Sequence, residues 1–213
     1  MTTTQDRTNR IEAAAPDPAP LASSGPLIAD PGPLGLGAFA MTTFVLSVFN
    51  ANIVHVAALE SVVLPLALFY GGTVQLLAGI WEFRKNNTFG ALAFCSFGAF
   101  WLSFAAYVKF VAPTLPAASA HEATGVFLLS WAIFTAYMLI ASVKTTAAVA
   151  AVFLFLDLTF IFLAIGNLGN HTNLIHVGGW LGLITAVVAW YASAAGVINS
   201  TWRRTVLPVH PMA

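Results

Sequence analysis

What this chain has least of is charge. Eight basic and eight acidic residues make up only 8% of its 213 residues, about a third of the share usual in a soluble domain. A charged, hydrated shell cannot be assembled from so few. The balance also leaves a formal net charge of zero, so no basic field is present to attract nucleic acid, and that class of partner is excluded. Cysteine is almost absent. The single Cys95 rules out an internal disulfide and a cysteine-based zinc site, and reads as a small packing or lipid-facing residue. Also missing are a nucleophile elbow, a catalytic carboxylate pair, a phosphate-binding loop and a His-Glu-x-x-His metal motif. No enzyme chemistry, metal or cofactor is therefore expected.

What is present is apolar. Hydrophobic residues make up 59% of the chain, and apolar stretches fill nearly everything from Pro33 to Ile198. Crossing about 30 Å of hydrocarbon takes about 20 such residues in a helix. Six spans fit, from Leu34 to His55, Glu60 to Trp81, Phe89 to Val111, Ala123 to Val143, Ala147 to Asn167 and Leu174 to Val197. The expected fold class is an all-α integral membrane protein built as a six-transmembrane-helix bundle in a lipid bilayer. Residues 1–29, with Pro16, Pro18, Pro20 and Pro26 among small and polar residues, read as a disordered tail. Residues 30–200 form the transmembrane domain and residues 201–213 a second tail.

Basic residues set the orientation. Arg7, Arg10, Arg84, Lys85, Lys144, Arg203 and Arg204 fall in the tails and even-numbered connections, leaving only Lys109 on the other side. The positive-inside rule then puts both termini in the cytoplasm. Trp81, Trp101, Tyr107, Trp131 and Trp202 lie at or near span ends, where an amphipathic ring can sit at headgroup level. Glycines recur through the spans, and close helix packing is their simplest use.

Polar side chains within the spans are the informative ones, because lipid makes them costly unless they face protein or water. Phe39, Thr43, Ser47 and Asn50 recur at helical spacing and form one face of the first span. Either they line a path or the hydroxyls bond back to their own helix carbonyls. Gln75, Gly79 and Glu82 share a face of the second span, with Gln75 near mid-membrane as a polar contact or an interhelical bond, and Glu82 near the cytoplasmic end. Thr42, Thr43, Asn50 and Gln75 are the candidate path residues. Asp157 is the one acid read as lying well inside a span, which makes it either a possible proton relay or a structural acid facing a neighbouring helix. His55, His171 and His176 lack metal-ligand spacing and read as interfacial.

The stretch Asp30-Pro-Gly-Pro-Leu-Gly-Leu-Gly-Ala-Phe-Ala-Met-Thr-Thr resembles the Asn-Pro-Ala-Pro-Leu-Gly-Leu signature that opens the first helix of the acetate uptake transporter family, the succinate-acetate permease type. Here the signature falls on Asp30, Pro31, Pro33, Leu34, Gly35 and Leu36. Phe69-Tyr-Gly-Gly, Gln75, Ala78-Gly, Glu82, Asn87-Thr-Phe-Gly, Ala164-Ile-Gly-Asn, Gly179-Trp-Leu-Gly-Leu and Arg204-Thr-Val-Leu-Pro continue the likeness, which covers Asp30 to Val209. The resemblance implies a six-helix protomer, a homohexamer in the plasma membrane, and a narrow path in each protomer closed by an apolar constriction. The constriction falls on Phe39, Phe97 and Leu156, with Phe97 where the family has Tyr. Asp30 and Gly32 stand for the family's Asn and Ala. Asp30 retains the chemistry to cap a helix N-terminus.

The implied cargo is acetate or a similarly small carboxylic acid, with succinate as a further candidate. A carboxylate entering a cell works against about 2.3 kcal/mol per 100 mV of inside-negative potential, whereas an acid that crosses with its proton does not. A proton is accordingly the expected partner, in a symport or channel-like passage. Two other readings stay open at this stage: a hexameric channel for urea or short amides, and a membrane sensor of a small acid that moves nothing.

Overall fold

The computed structural model describes residues 28–212. Among these described residues six helices are long and apolar enough to cross a membrane: α1 Gly32–Asn50, α2 Ala58–Arg84, α3 Thr88–Thr114, α4 Ala120–Ser142, α5 Ala147–Leu168 and α6 Thr172–Trp202. Among the described residues there is no strand, only an isolated bridge between Thr146 and Pro211. The reading of residues 1–27, including Arg7 and Arg10, lies outside the described residues.

Local chemistry explains the boundaries. Pro31 and Pro33 occupy the start of α1, where a missing N–H costs nothing and the fixed φ suits a helix. Asn87 caps α3 by accepting the Gly90 amide at 3.1 Å, and Thr146 caps α5 by accepting that of Val149 at 3.2 Å. Asn52, Asn86 and Asn170 turn the chain after α1, α2 and α5 with φ near +55°, at 58°, 58° and 52°, a conformation asparagine tolerates better than most residues. The Asn52 turn ends α1 at Asn50 rather than at His55. At the other extreme α6 runs to Trp202, five residues beyond the expected end, and stops at a left-handed Arg203.

α2 is not uniform. A tight 3-10 segment, Ala57–Val62, leads into it, and it widens to a π turn at Phe69–Val74, immediately before Gln75. The wide turn coincides with close approaches. A Cβ on Gly71 would fall 2.5 Å from Thr42 Oγ1 of α1, and one on Gly72 would fall 2.4 Å from the Ala67 carbonyl of its own helix. A second π turn spans Tyr107–Val111 in α3.

The helices close into a ring. α1 packs against α2 and α6, α2 against α3, α4 against α5, and α5 against α6. The α1–α6 seam depends on Gly179, where any Cβ would lie 2.1 Å from the Ala51 backbone nitrogen. The sixth seam, between α3 and α4, is wider and filled by rings. Phe100 and Tyr107 of α3 stack on Phe127 at 5.8 and 5.6 Å, and the Tyr107 hydroxyl meets that of Thr124 at 2.8 Å. The outer surface carries large apolar side chains such as Phe110, Ile133 and Ile140, as contact with lipid requires.

Candidate functional site

The inside of the ring is aromatic and nearly closed. Phe39 of α1 and Phe97 of α3 have ring centroids 5.8 Å apart. Phe97 also meets Phe153 and Phe160 of α5 at 6.0 and 6.4 Å and Phe134 of α4 edge-on at 5.3 Å. Helices that are not neighbours around the ring therefore touch through its centre. Leu156 lies on α5 between Phe153 and Phe160, and Phe39, Phe97 and Leu156 are all buried in one core.

Two cavities flank this plug. The one on the side away from Asp30 and Val209, called outer for that position alone, has a volume of about 520 Å³ and reaches Thr43, Ser47, Asn50, Glu60, Trp101 and Asn167. The inner one, of about 340 Å³, reaches Asp30, Gln75, Glu82, Lys85, Asn87 and Asn199. Phe39 and Leu156 line both cavities, while Phe97 lines the inner one. An apolar neck thus separates two more polar vestibules.

The candidate path residues divide. Thr43, Asn50 and Gln75 line a cavity. Thr42 lines neither: it is fully buried, its hydroxyl donates to the Ala38 carbonyl at 3.0 Å, and Gly71 presses against it. Its work is the α1–α2 contact. Asp157 is buried with Oδ1 unpartnered, and it too lines neither cavity. Adjacent positions on a helix point about 100° apart, so Asp157 turns away while Leu156 faces in.

Signature residues gather at the inner mouth. Asp30 Oδ1 accepts the Gly32 amide at 2.9 Å and pairs with Lys85 Nζ at 2.8 Å. Its charge is therefore balanced by that of Lys85. Pro33 and Leu36 line the inner cavity, the Pro33 carbonyl accepts from Ser193 Oγ at 2.6 Å, Gly35 abuts the Phe94 ring, and Leu34 faces outward.

Three features escape a linear reading. Glu82 looks like a span-end charge, but α2 continues to Arg84 and the carboxylate is 1% exposed. Asn87 Nδ2 donates to it at 2.8 Å, so Glu82 is a buried, partnered carboxylate near the end of α2 rather than an exposed span-end charge. Trp101, expected at the headgroups, is 2% exposed and lines the outer cavity with its indole N–H unpartnered. Trp131 likewise turns inward onto Phe97 and Phe100 at 6.0 and 5.1 Å, whereas Trp81 and Trp202 are exposed. Finally, the segment after α6 returns across the inner face. Asn199 accepts the Val206 and Leu207 amides at 2.7 and 3.0 Å, the Tyr191 hydroxyl donates to the Pro208 carbonyl at 2.6 Å, and Val209 reaches the inner cavity. No hydropathy pattern announces this fold-back. Among the described residues no three His, Cys, Asp or Glu side chains cluster as a metal site would need.

Comparison with known proteins gives a consistent picture. The model of the GPR1/FUN34/yaaH family matches residues 14–213. The chain is 44% identical to Ammonia transport outward protein 2 of Saccharomyces cerevisiae, over 87% of this chain and 66% of that protein. It is 40% identical to the succinate-acetate/proton symporter SatP of Escherichia coli, over 85% of this chain and 95% of that one. The solved structure of the bacterial acetate channel SatP superposes with a TM-score of 0.79 at 38% identity, covering 86% of this chain and 99% of that one. The chain spans only 61% and 66% of the length of two Saccharomyces cerevisiae relatives that it matches at 47% and 44% identity.

Proposed function

The chain belongs to the GPR1/FUN34/yaaH family, a family of transporters and channels rather than enzymes, and from that premise we propose that this multi-pass membrane protein takes up acetate and similarly small monocarboxylic acids. The observation that carries the reading is the pair of polar vestibules meeting at one apolar neck that contains Phe39 and Leu156. Phe97 completes the neck, and Thr43, Asn50 and Gln75 offer polar contacts on either side of it. An apolar narrow point strips water from a solute, which a small or protonated acid tolerates far better than a bulky or doubly charged one. Neither cavity is lined by a basic side chain other than Lys85, which is paired with Asp30. This supports passage of the acid with its proton, the acid itself being the carrier, and gives Asp157 a structural place in the bundle. Succinate fits the same route only as its protonated form.

Each protomer encloses its own path, so a homohexamer would bring six parallel routes together with the lipid-facing belt as its meeting surface. We place the protein in the plasma membrane with both termini in the cytoplasm. Reconstitution into liposomes with labelled acetate tests the function directly, and labelled urea and ammonium in the same vesicles test the other solutes such a slot could pass. Saturable uptake of either in place of acetate would overturn the reading.

Orientation has its own check. In a Cys95→Ala background, an impermeant thiol reagent applied to intact cells should label Ala118→Cys, in the exposed α3–α4 connection, and leave the exposed Arg84→Cys untouched until the cells are opened. The reverse pattern would invert the topology.

A further inference from the structure

We propose that the segment Thr205–Met212 is a movable lid on the inner vestibule, which must lift for the acid to pass between the neck and the inner side. The inference rests on the transport reading above and adds a gate at a level that the neck does not occupy.

Position comes first. α6 stops at the left-handed Arg203, and the chain turns back across the inner face. Val209 of the returning segment lines the inner cavity together with Asn199, Thr145 and Thr146, and the Asp30–Lys85 pair lines it as well. An acid leaving the neck on this side therefore passes Val209.

The segment is tied down at two places. Near α6, the Asn199 side chain accepts the Val206 and Leu207 amides and donates to the Leu207 carbonyl at 2.8 Å, while the Tyr191 hydroxyl holds the Pro208 carbonyl. At the far end, the Val209 and His210 carbonyls accept the Ala148 and Ala147 amides at 3.4 and 2.9 Å. Those amides belong to the first turn of α5, which has no internal partner for them. The Met212 amide donates to the Thr145 carbonyl at 3.0 Å.

Three observations make these ties releasable. Every residue from Arg203 to Met212 is exposed except the half-buried Leu207 and Val209, so water can replace the bonds and each is worth little. Pro208 and Pro211 have no N–H to give, and pairing with the start of α5 is confined to the single bridge between Thr146 and Pro211. Arg203 and His210 stand at φ 52° and 51°, a region that residues with a Cβ seldom occupy. Contacts hold the backbone there, and release lets it relax. A segment with few buried contacts and exposed hydrogen bonds opens at low cost, whereas the packed helices beneath it do not.

The test locks the lid with a disulfide. Thr146 and Pro211 face each other through bonds made by their neighbours, a pairing with Cα atoms about 4.5 Å apart, within the range of about 4.4–6.8 Å that a disulfide spans. In a Cys95→Ala background, Thr146→Cys/Pro211→Cys is reconstituted into liposomes and acetate uptake is measured after oxidation and again after reduction. Oxidation should lower uptake at least about tenfold, reduction should restore it, and Thr146→Cys alone should respond to neither. Thr146 also caps α5, so Thr145→Cys/Met212→Cys, which spares that cap, repeats the test if the first pair does not fold. A segment that only caps α5 would be indifferent to the cross-link. Fully cross-linked protein that transports as fast as its reduced form overturns the lid and leaves the transport reading standing, and so does an equal loss in the single-cysteine control. Absence of acetate transport by the parent protein overturns the transport reading itself.

Discussion

Replacing Leu156 by Ala will open the path to a larger acid, with lactate uptake in liposomes rising at least about tenfold while acetate uptake is retained. Leu156 is the α5 member of a neck that Phe39 and Phe97 close from α1 and α3, and it borders both vestibules. Truncation removes three heavy atoms from the narrowest level. A tenfold gain asks for only about 1.4 kcal/mol off the barrier. The same truncation leaves a cavity in a buried core and costs about 2–5 kcal/mol of stability, so the variant must first be shown to be folded and correctly assembled. Phe97→Tyr is the gentler counterpart: it adds one hydroxyl to a ring already in place and should change the preference between acetate and lactate by a few-fold. If both variants fold and keep the parent's substrate range and rates, Phe39, Phe97 and Leu156 are not the selective constriction.

Net acetate uptake should fall by about 75-fold as external pH rises from 5 to 7 at constant total acetate. The figure follows from the neutral fraction of a carboxyl with an ordinary pKa of about 4.5. Protein-free vesicles must be subtracted, because the neutral acid also crosses lipid. The protein-dependent flux should carry no current and should be indifferent to an imposed inside-negative potential, which would hold back an anion by about 2.3 kcal/mol per 100 mV, nearly fiftyfold. Electrogenic uptake suppressed by that potential would sink the neutral-acid mechanism. Asp157→Asn belongs in the same experiment. Since Asp157 lines neither vestibule, a folded variant should keep the pH dependence of the parent. Loss of that dependence would return Asp157 to the role of proton relay.

The membrane, the number of spans and the all-α class were legible in the residues alone. Hydrocarbon leaves a backbone no partner but itself, so a run of about 20 apolar residues must be a helix wherever it sits. That constraint is local and can be read one span at a time. The neck residues were legible only through the family resemblance, because nothing in a run of Phe and Leu says which ring faces a path and which faces lipid. The tertiary structure, by rotating and closing the helices, buries Phe39, Phe97 and Leu156 in one core. It turned Thr43 inward and Thr42 against Gly71, although the two are adjacent, and it carried Trp101 from an expected headgroup position to the wall of the outer vestibule. It buried Glu82 against Asn87 and folded the last residues back beneath the inner one. Each of these depends on which neighbour supplies the missing hydrogen bond or the missing volume, and such neighbours come from other helices, many residues away along the chain. Hydropathy determines that a segment is buried in the membrane; only packing determines toward what.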